Sequence, residues 1–233
     1  MEKEIHVGLL GYGTVGSGVA KILVDHQQDL QHKLGVGVSI KKVLVRDLSK
    51  KRETVLQTDV FTDEIDDILE DPSIDLIVEV MGGMDGAKEA IEKSLLAGKG
   101  VVTANKDVMA VYGPALLTLA DEHKCDLFYE ASVGGGIPLI RTMEDGLASD
   151  RISALTGIVN GTTNFILTKM KQENMSYEDA LAEATALGFA EADPSADVDG
   201  IDAARKMVIL ASLAFSTEVK LEDVVVRGLK AIE

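Results

Sequence analysis

Tryptophan is absent from this 233-residue chain, and aromatic residues make up only 4% of it. The hydrophobic fraction is nevertheless 46%, so valine, isoleucine, leucine and alanine must fill the core. Short runs of branched aliphatic residues are typical of buried parallel strands. The length is enough for one large domain or two modest ones.

Basic residues are also scarce, with 23 lysines and arginines against 39 aspartates and glutamates and a net charge of −16. Such a charge opposes binding to a nucleic-acid backbone or to an anionic membrane. No apolar run approaches the ~20 residues that a membrane-spanning helix needs. We therefore expect a small-molecule substrate, with no nucleic acid and no membrane as partners.

Cys125 is the only cysteine. A single thiol excludes an internal disulfide and is typical of a reducing compartment. The chain begins Met-Glu-Lys-Glu-Ile-His and enters a predicted strand without a secretory signal. We expect a cytoplasmic protein.

Short apolar runs alternate with helical patterns in the first half of the chain. The predicted strands cover residues 5–10, 39–45, 75–80, 100–104 and 126–130. Helices are predicted over residues 14–32 and 86–97, and after Lys106. This alternation predicts an α/β domain with a parallel sheet and right-handed crossovers.

The first predicted strand runs into a glycine-rich loop, Gly-Tyr-Gly-Thr-Val-Gly. Gly11 permits a tight turn, Gly13 lets the backbone approach a pyrophosphate, and Gly16 lets the following helix pack on the strand. The loop is typical of a Rossmann-type nucleotide-binding domain, although it also fits a tight turn without a ligand. The predicted cofactor contacts are Gly11, Gly13, Thr14, Val15 and Gly16.

The second predicted strand ends in Arg46-Asp47. An acid at this place binds the ribose hydroxyls of NAD, whereas an arginine can accept the 2′-phosphate of NADP. Because both residues are present, Arg46 is a candidate cofactor contact and both cofactors stay open.

A run of three glycines, residues 134–136, follows the last predicted strand. It permits either a flexible hinge or an irregular loop whose carbonyls turn inward. We place a dinucleotide-binding domain at 1–133 and an α+β substrate and dimerisation domain at 134–233. The second domain is predicted to contain a strand at 152–159 and helices opening at Asn160 and Ser176.

Residues 191–206 form an acidic block that ends in a lysine. Gly200 is predicted to begin a helix through Ala211, on which Asp202 and Lys206 are i, i+4 neighbours. A lysine held by a carboxylate beside a cofactor is a candidate proton donor or acceptor. The alternative is a solvated ion pair on a surface helix.

Over essentially its whole length, the chain resembles the homoserine dehydrogenases. The motifs that carry the resemblance are the glycine-rich loop, Thr103-Ala-Asn-Lys106, residues 130–138, Gly157-Ile-Val-Asn-Gly-Thr-Thr-Asn164 and residues 188–206. The resemblance implies hydride transfer between NAD(P)H and aspartate 4-semialdehyde to give L-homoserine, a step of the aspartate-derived route to threonine, methionine and isoleucine. It also implies a homodimer, and a catalytic region that continues beyond Glu233.

The resemblance further implies roles for individual residues. Lys206 donates the proton, Asp202 orients it and contacts the substrate, and Glu191 binds the substrate ammonium. Lys106 lies near the nicotinamide and the substrate. The remaining candidates are Asp197 for the substrate, Gly188 for the cofactor, and Glu130, Val133, Gly135 and Ile137 for a monovalent cation, usually sodium.

Two other functions fit parts of the sequence. One is a Rossmann-type oxidoreductase of another small amino or hydroxy acid, and the other is a cofactor-binding fragment without activity. An acyl-forming aldehyde dehydrogenase needs a nucleophilic cysteine. Cys125 lies in His-Lys-Cys-Asp, away from any glycine-rich loop, so we reject that function.

Overall fold

Six parallel strands form one sheet in the first half of the chain. In a computed structural model that describes residues 4–191, 193–229 and 232, they are β1 (Glu4–Leu10), β2 (Gly37–Leu44), β3 (Phe61–Thr62), β4 (Leu76–Glu79), β5 (Gly100–Thr103) and β6 (Leu127–Phe128). Their order across the sheet is β3-β2-β1-β4-β5-β6. From the neighbouring strands β1 and β4, the chain adds later strands in opposite directions across the sheet. In such sheets, ligands bind in the crevice at the carboxyl ends of these two strands.

Helices alternate with these strands, as predicted. They are α1 (Thr14–Asp25), α2 (Gln27–Leu34), α3 (Asp66–Leu69), α4 (Asp85–Leu96) and α5 (Lys106–Glu122). Leu9, Ile77 and Val101 on neighbouring strands are fully buried, which explains their near-continuous apolar runs. The predicted parallel sheet with flanking helices is confirmed.

The predicted helix over residues 14–32 is wrong in one respect, because it is broken at His26 into α1 and α2. None of the residues of α2 is buried. The second segment therefore has no apolar face that would hold it in line with α1. The strand β3 and the helix α3 were not predicted, because two and four residues are too few to show a periodic pattern.

The chain divides into two compact units, Met1–Ser132 and Val133–Glu233. The described part of the second unit contains α6 (Gly161–Glu173), α7 (Tyr177–Ala186), α8 (Ser195–Val198) and α9 (Ile201–Ala214), with a π-helical turn at Thr142–Gly146. An apolar cluster of Ile166, Ala180, Ala184, Ala190, Val198 and Leu229 forms its core. No helix in the described ranges is both long and apolar enough to cross a membrane.

The predicted helix starts of the second unit are confirmed. The Asn160 side chain accepts a hydrogen bond from the Thr163 amide at 2.8 Å, and the Ser176 hydroxyl accepts one from the Asp179 amide at 3.1 Å. Gly200, with φ +83°, precedes α9. The Asn160 and Ser176 side chains thus satisfy amides that have no partner within their own helices.

The strand predicted over residues 152–159 does not form. Residues 151–160 have no regular secondary structure, and Ile158 is 77% exposed. A strand needs a neighbouring strand for its backbone hydrogen bonds. The described part of the second unit offers none, so the apolar pattern alone is not enough.

A cluster of polar side chains in the first unit links β2 to the segments that precede β4 and β5. The Asp71 carboxylate accepts hydrogen bonds from the Ser73 amide at 2.9 Å and hydroxyl at 2.6 Å, and it pairs with Lys41 at 3.1 Å. The Lys99 ammonium donates to the Asp71 and Ile74 carbonyls at 2.7 and 2.8 Å. The hydrogen bonds from Ser73, and after them the contact with Lys41, lower the pKa of Asp71 to about 2.

We expect Asp71→Asn to lower the free energy of unfolding by about 1–2 kcal/mol at pH 7. The folded pKa of Asp71 lies below that of the unfolded chain, so its contribution is present above pH ~4 and is lost as the pH falls towards 2. Urea unfolding from pH 7 down to pH 3 measures this loss. The matched control is Glu89→Gln, which removes an exposed helical ion pair with Lys93. An Asp71 effect that does not shrink with falling pH would contradict the assignment.

Candidate functional site

The glycine-rich loop between β1 and α1 is shaped by close backbone contacts. Gly11 has φ +103°, and a Cβ there would lie 2.8 Å from the Val80 carbonyl oxygen. A Cβ on Gly16 would lie 2.1 Å from the Gly11 oxygen. Packing within the chain therefore requires both glycines.

Gly13 differs from these two glycines. It has an extended backbone that any residue adopts, with φ −85°, and no described protein atom lies within 4 Å of a Cβ built on it. The missing side chain at Gly13 thus leaves open space in front of the loop. This observation fits a loop that a phosphate approaches closely.

Gly13 is also the residue before the first turn of α1. Among the described residues, no side chain caps this helix, and its first turn carries no acid. Thr14 and Val15 are exposed there. The first amides of α1 and its dipole are therefore available to an anion.

A pocket of about 210 Å³ opens beside this helix end. It is lined by Val15, Glu79, Val80, Gly82, Gly83, Ala104, Asn105, Lys106 and Asp107. The lining thus combines the start of α1 with the carboxyl ends of β4 and β5, where ligands of parallel sheets bind. The predicted site residue Lys106 is half-buried there, with its ammonium 3.7 Å from Asp107.

A buried carboxylate holds the walls of this pocket, and the sequence analysis missed it. Glu79 is fully buried and accepts hydrogen bonds from the Met81 amide at 2.8 Å and the Thr103 hydroxyl at 2.6 Å. The Asn105 side chain donates to the Gly83 carbonyl at 2.7 Å. The only signal in the sequence was an acid within the apolar run Leu-Ile-Val-Glu-Val.

The segment after β2 is locally basic. Arg46 is exposed, and Lys50, Lys51 and Arg52 follow within six residues, in a chain of net charge −16. The Asp47 carboxylate accepts hydrogen bonds from the Ser49 amide at 2.8 Å and hydroxyl at 2.6 Å. The hydrogen bonds from Ser49 lower the pKa of Asp47. One carboxylate oxygen is therefore already engaged within the chain.

In the second unit, Lys206 and Asp202 form the predicted pair on one face of α9. The Lys206 ammonium lies 2.6 Å from the Asp202 carboxylate, and their side chains are 18% and 11% exposed. Lys206 also donates to the Val159 carbonyl at 2.7 Å. The pair is thus largely buried, which argues against a solvated ion pair on a surface helix.

Asn160 joins this pair to the third predicted residue, Asp197. Its side-chain amide nitrogen lies 2.9 Å from Asp202 and 2.7 Å from Asp197. The Thr162 hydroxyl lies 3.0 Å from the other Asp197 oxygen. The structure therefore brings Asp197, Asp202 and Lys206 together, around an asparagine whose contacts to the two carboxylates were not predicted.

The second unit contains further candidates for the predicted substrate, cofactor and cation sites. Glu191 is exposed, and Gly188, with φ +79°, ends the turn after α7. Val133 is buried, Gly135 has φ +58° and Ile137 is exposed. Their ligand contacts stay predictions.

Glu130 opens a 3₁₀ turn at Glu130–Ser132 in the first unit. In the described ranges, no three His, Cys, Asp or Glu side chains are grouped so that they could hold a metal ion. The predicted cation site depends mostly on backbone carbonyls, and it stays a prediction.

Known proteins resemble this chain along both units. Residues 11–130 match the family model described as homoserine dehydrogenase, NAD binding domain, and residues 138–233 match that described as homoserine dehydrogenase. A homoserine dehydrogenase of Bacillus subtilis is 59% identical over 230 residues, which covers 99% of this chain and 53% of that protein. The chain therefore spans about half the length of the curated relatives it matches.

Solved structures agree with the sequence relatives. A homoserine dehydrogenase from Thiobacillus denitrificans superimposes with a TM-score of 0.92 at 38% identity, covering 100% of this chain and 54% of that one. A hyperthermophilic archaeal homoserine dehydrogenase in complex with NADPH has a TM-score of 0.78 at 29% identity, covering 92% and 71% of the two chains.

Proposed function

Since the chain belongs to the homoserine dehydrogenase family, we propose that it interconverts L-homoserine and aspartate 4-semialdehyde. The observation that carries this proposal is the Lys206–Asp202 pair at 2.6 Å. Reduction of an aldehyde needs a proton for the developing alkoxide, and a positioned lysine ammonium can supply it.

The first unit fits a nicotinamide dinucleotide, which supplies or accepts the hydride when bound. The open space at Gly13 and the uncapped start of α1 support a pyrophosphate there. Lys106, in the wall of the pocket, is proposed to lie near the nicotinamide and the substrate. The remaining backbone contacts that we assign to the cofactor are Gly11, Thr14, Val15 and Gly16.

In the second unit, Lys206 is the proposed proton donor. A lysine ammonium carries three protons, and those to the Val159 carbonyl and the Asp202 carboxylate account for two of them. We assign the third to the substrate oxygen. The two contacts fix the direction of the ammonium, so the proton is held in place before the reaction.

The acids around Lys206 suit a substrate that carries an ammonium group. We assign the substrate ammonium to Glu191, with Asp197 and Asp202 as further contacts. Gly188, the monovalent cation at Glu130, Val133, Gly135 and Ile137, and the homodimer are proposals that rest on the family resemblance.

We propose NADPH as the preferred cofactor, because Arg46 begins the basic segment after β2. Charge-assisted hydrogen bonds to a 2′-phosphate are worth roughly 1.5–3 kcal/mol. The KM for NADPH is expected to be about tenfold or more below that for NADH, and Arg46→Ala should remove most of the difference. Lys33→Ala, on exposed α2, is the control. Equal KM values for both cofactors in the wild type would refute this preference.

The proposed reaction is tested by supplying the chain with aspartate 4-semialdehyde and following the oxidation of NADPH and NADH side by side. We expect saturable turnover with L-homoserine as the product. Reduction of a different small aldehyde or keto acid in preference to the semialdehyde would favour another oxidoreductase of the same fold. Cofactor binding without turnover of any of them would favour a binding module.

A further inference from the structure

The Asn160 side chain occupies a place between two carboxylates from different helices. Asp197 belongs to α8 and Asp202 to α9, whereas Asn160 precedes α6. The Asn160 amide nitrogen lies 2.7 Å from one carboxylate and 2.9 Å from the other. An amide group has two N–H donors, so one is directed to each carboxylate.

The oxygen of the same amide group has a separate task. It accepts the Thr163 amide at 2.8 Å and thereby caps α6. This contact settles the orientation of the amide group, because the opposite orientation would place its oxygen against two carboxylates. Three of the four hydrogen bonds that an asparagine side chain can make are thus divided between a helix cap and a pair of acids.

We propose that Asn160 is a positioning residue, which holds Asp202 and Asp197 apart at a set spacing and, through Asp202, aims the ammonium of Lys206. This role rests on the proposed function, in which Lys206 donates the proton. Two carboxylates in one part-buried cluster repel each other. The neutral amide donates a hydrogen bond to each of them without competing for the lysine.

Substitutions can separate the capping of α6 from the hydrogen bonds that Asn160 donates to the two carboxylates. Asn160→Asp retains a side-chain oxygen that caps a helix as well as asparagine does, but it loses both donors and adds a third carboxylate. Asn160→Ser also retains a capping oxygen and loses the amide, without adding a charge. Asn164→Asp makes the same chemical change at an exposed residue in the first turn of α6 and is the matched control.

We expect Asn160→Asp to lower kcat for semialdehyde reduction at least about tenfold, with the KM for NADPH unchanged. Among the described residues, Asn160 donates hydrogen bonds to the titratable groups of Asp197 and Asp202, Lys206 is bonded to Asp202, and the first turn of α6 has no acid. Because three neighbouring carboxylates retain a proton to a higher pH than two, the acid limb of the kcat profile should move to higher pH. Asn160→Ser should lower kcat less and leave this limb in place.

Thermal unfolding and NMR titration complete the test. The Tm of Asn160→Asp should lie below that of Asn164→Asp, because the cap of α6 remains but two hydrogen bonds to carboxylates are replaced by a third carboxylate. A kcat within twofold of the wild type and an unmoved acid limb would overturn the proposal. If the wild type does not reduce the semialdehyde, the proposed function fails separately. The hydrogen bonds from Asn160 to the two carboxylates are then tested by NMR titration of the aspartate carboxyl carbons. In Asn160→Asp, at least one of these carbons must titrate at a higher pH than in the wild type. An unchanged titration would overturn the proposal.

Discussion

Lys206→Met is expected to lower kcat for semialdehyde reduction by about 10²–10⁴-fold, the usual contribution of general acid catalysis. Methionine retains much of the length of the side chain but has no proton to donate. NADPH binding should stay within twofold of the wild type, because the residues assigned to the cofactor loop belong to the first unit. Steady-state kinetics and a fluorescence titration of NADPH measure the two quantities.

A second lysine of the same unit provides a matched control. Lys169 is 22% exposed and lies 2.8 Å from both Glu173 and Glu183, so its burial and ion pairing resemble those of Lys206. We expect Lys169→Met to lower stability without a comparable loss of kcat. If the two variants lost kcat equally, the effect of Lys206 would be structural and not chemical.

Gly13→Ala is expected to weaken NADPH binding at least about tenfold while leaving the Tm unchanged. A Cβ at this position meets no described protein atom within 4 Å, and its backbone angles suit alanine. The methyl group would instead occupy the space that we assign to the pyrophosphate. Isothermal titration calorimetry and thermal unfolding of the same samples separate binding from folding.

Two neighbouring glycines show whether the effect is specific. A Cβ on Gly18 also has open space, and Gly18→Ala should keep NADPH binding and raise stability slightly, since alanine favours a helix. Gly16→Ala should destabilise the fold, because its Cβ would lie 2.1 Å from a backbone oxygen. Unchanged NADPH affinity in Gly13→Ala would contradict the assignment of the loop.

Local patterns predicted the fold of the first unit well. The strand, glycine loop and helix at residues 5–25 follow from short-range rules, because Gly11 and Gly16 are needed by the backbone itself. The pair Asp202–Lys206 was predictable for the same reason, since i, i+4 spacing on a helix brings two side chains together. The strand at 152–159 was wrong because a strand depends on a distant partner, which its own residues do not reveal.

Most contacts around the candidate site could not be predicted from local sequence patterns. Asn160 was predicted as a helix cap from its neighbours, but its bonds to Asp197 and Asp202 join residues 37 and 42 positions apart. Glu79 likewise accepts a hydrogen bond from Thr103, which lies on the neighbouring strand but 24 positions away in the sequence. Such contacts follow from the packing of elements, and a buried acid or amide in an apolar setting is the only sign of them in the sequence.

We propose that this chain transfers a hydride to the aldehyde carbon while Lys206 supplies the proton. The most direct measurement incubates it with aspartate 4-semialdehyde and NADPH in which both hydrogens at C4 of the nicotinamide are deuterium, and analyses the product by mass spectrometry. We predict L-homoserine with deuterium on its hydroxymethyl carbon, formed by the wild type and at a rate at least about 100-fold lower by Lys206→Met. Deuterium-free product, or equal rates for the two proteins, would contradict the claim.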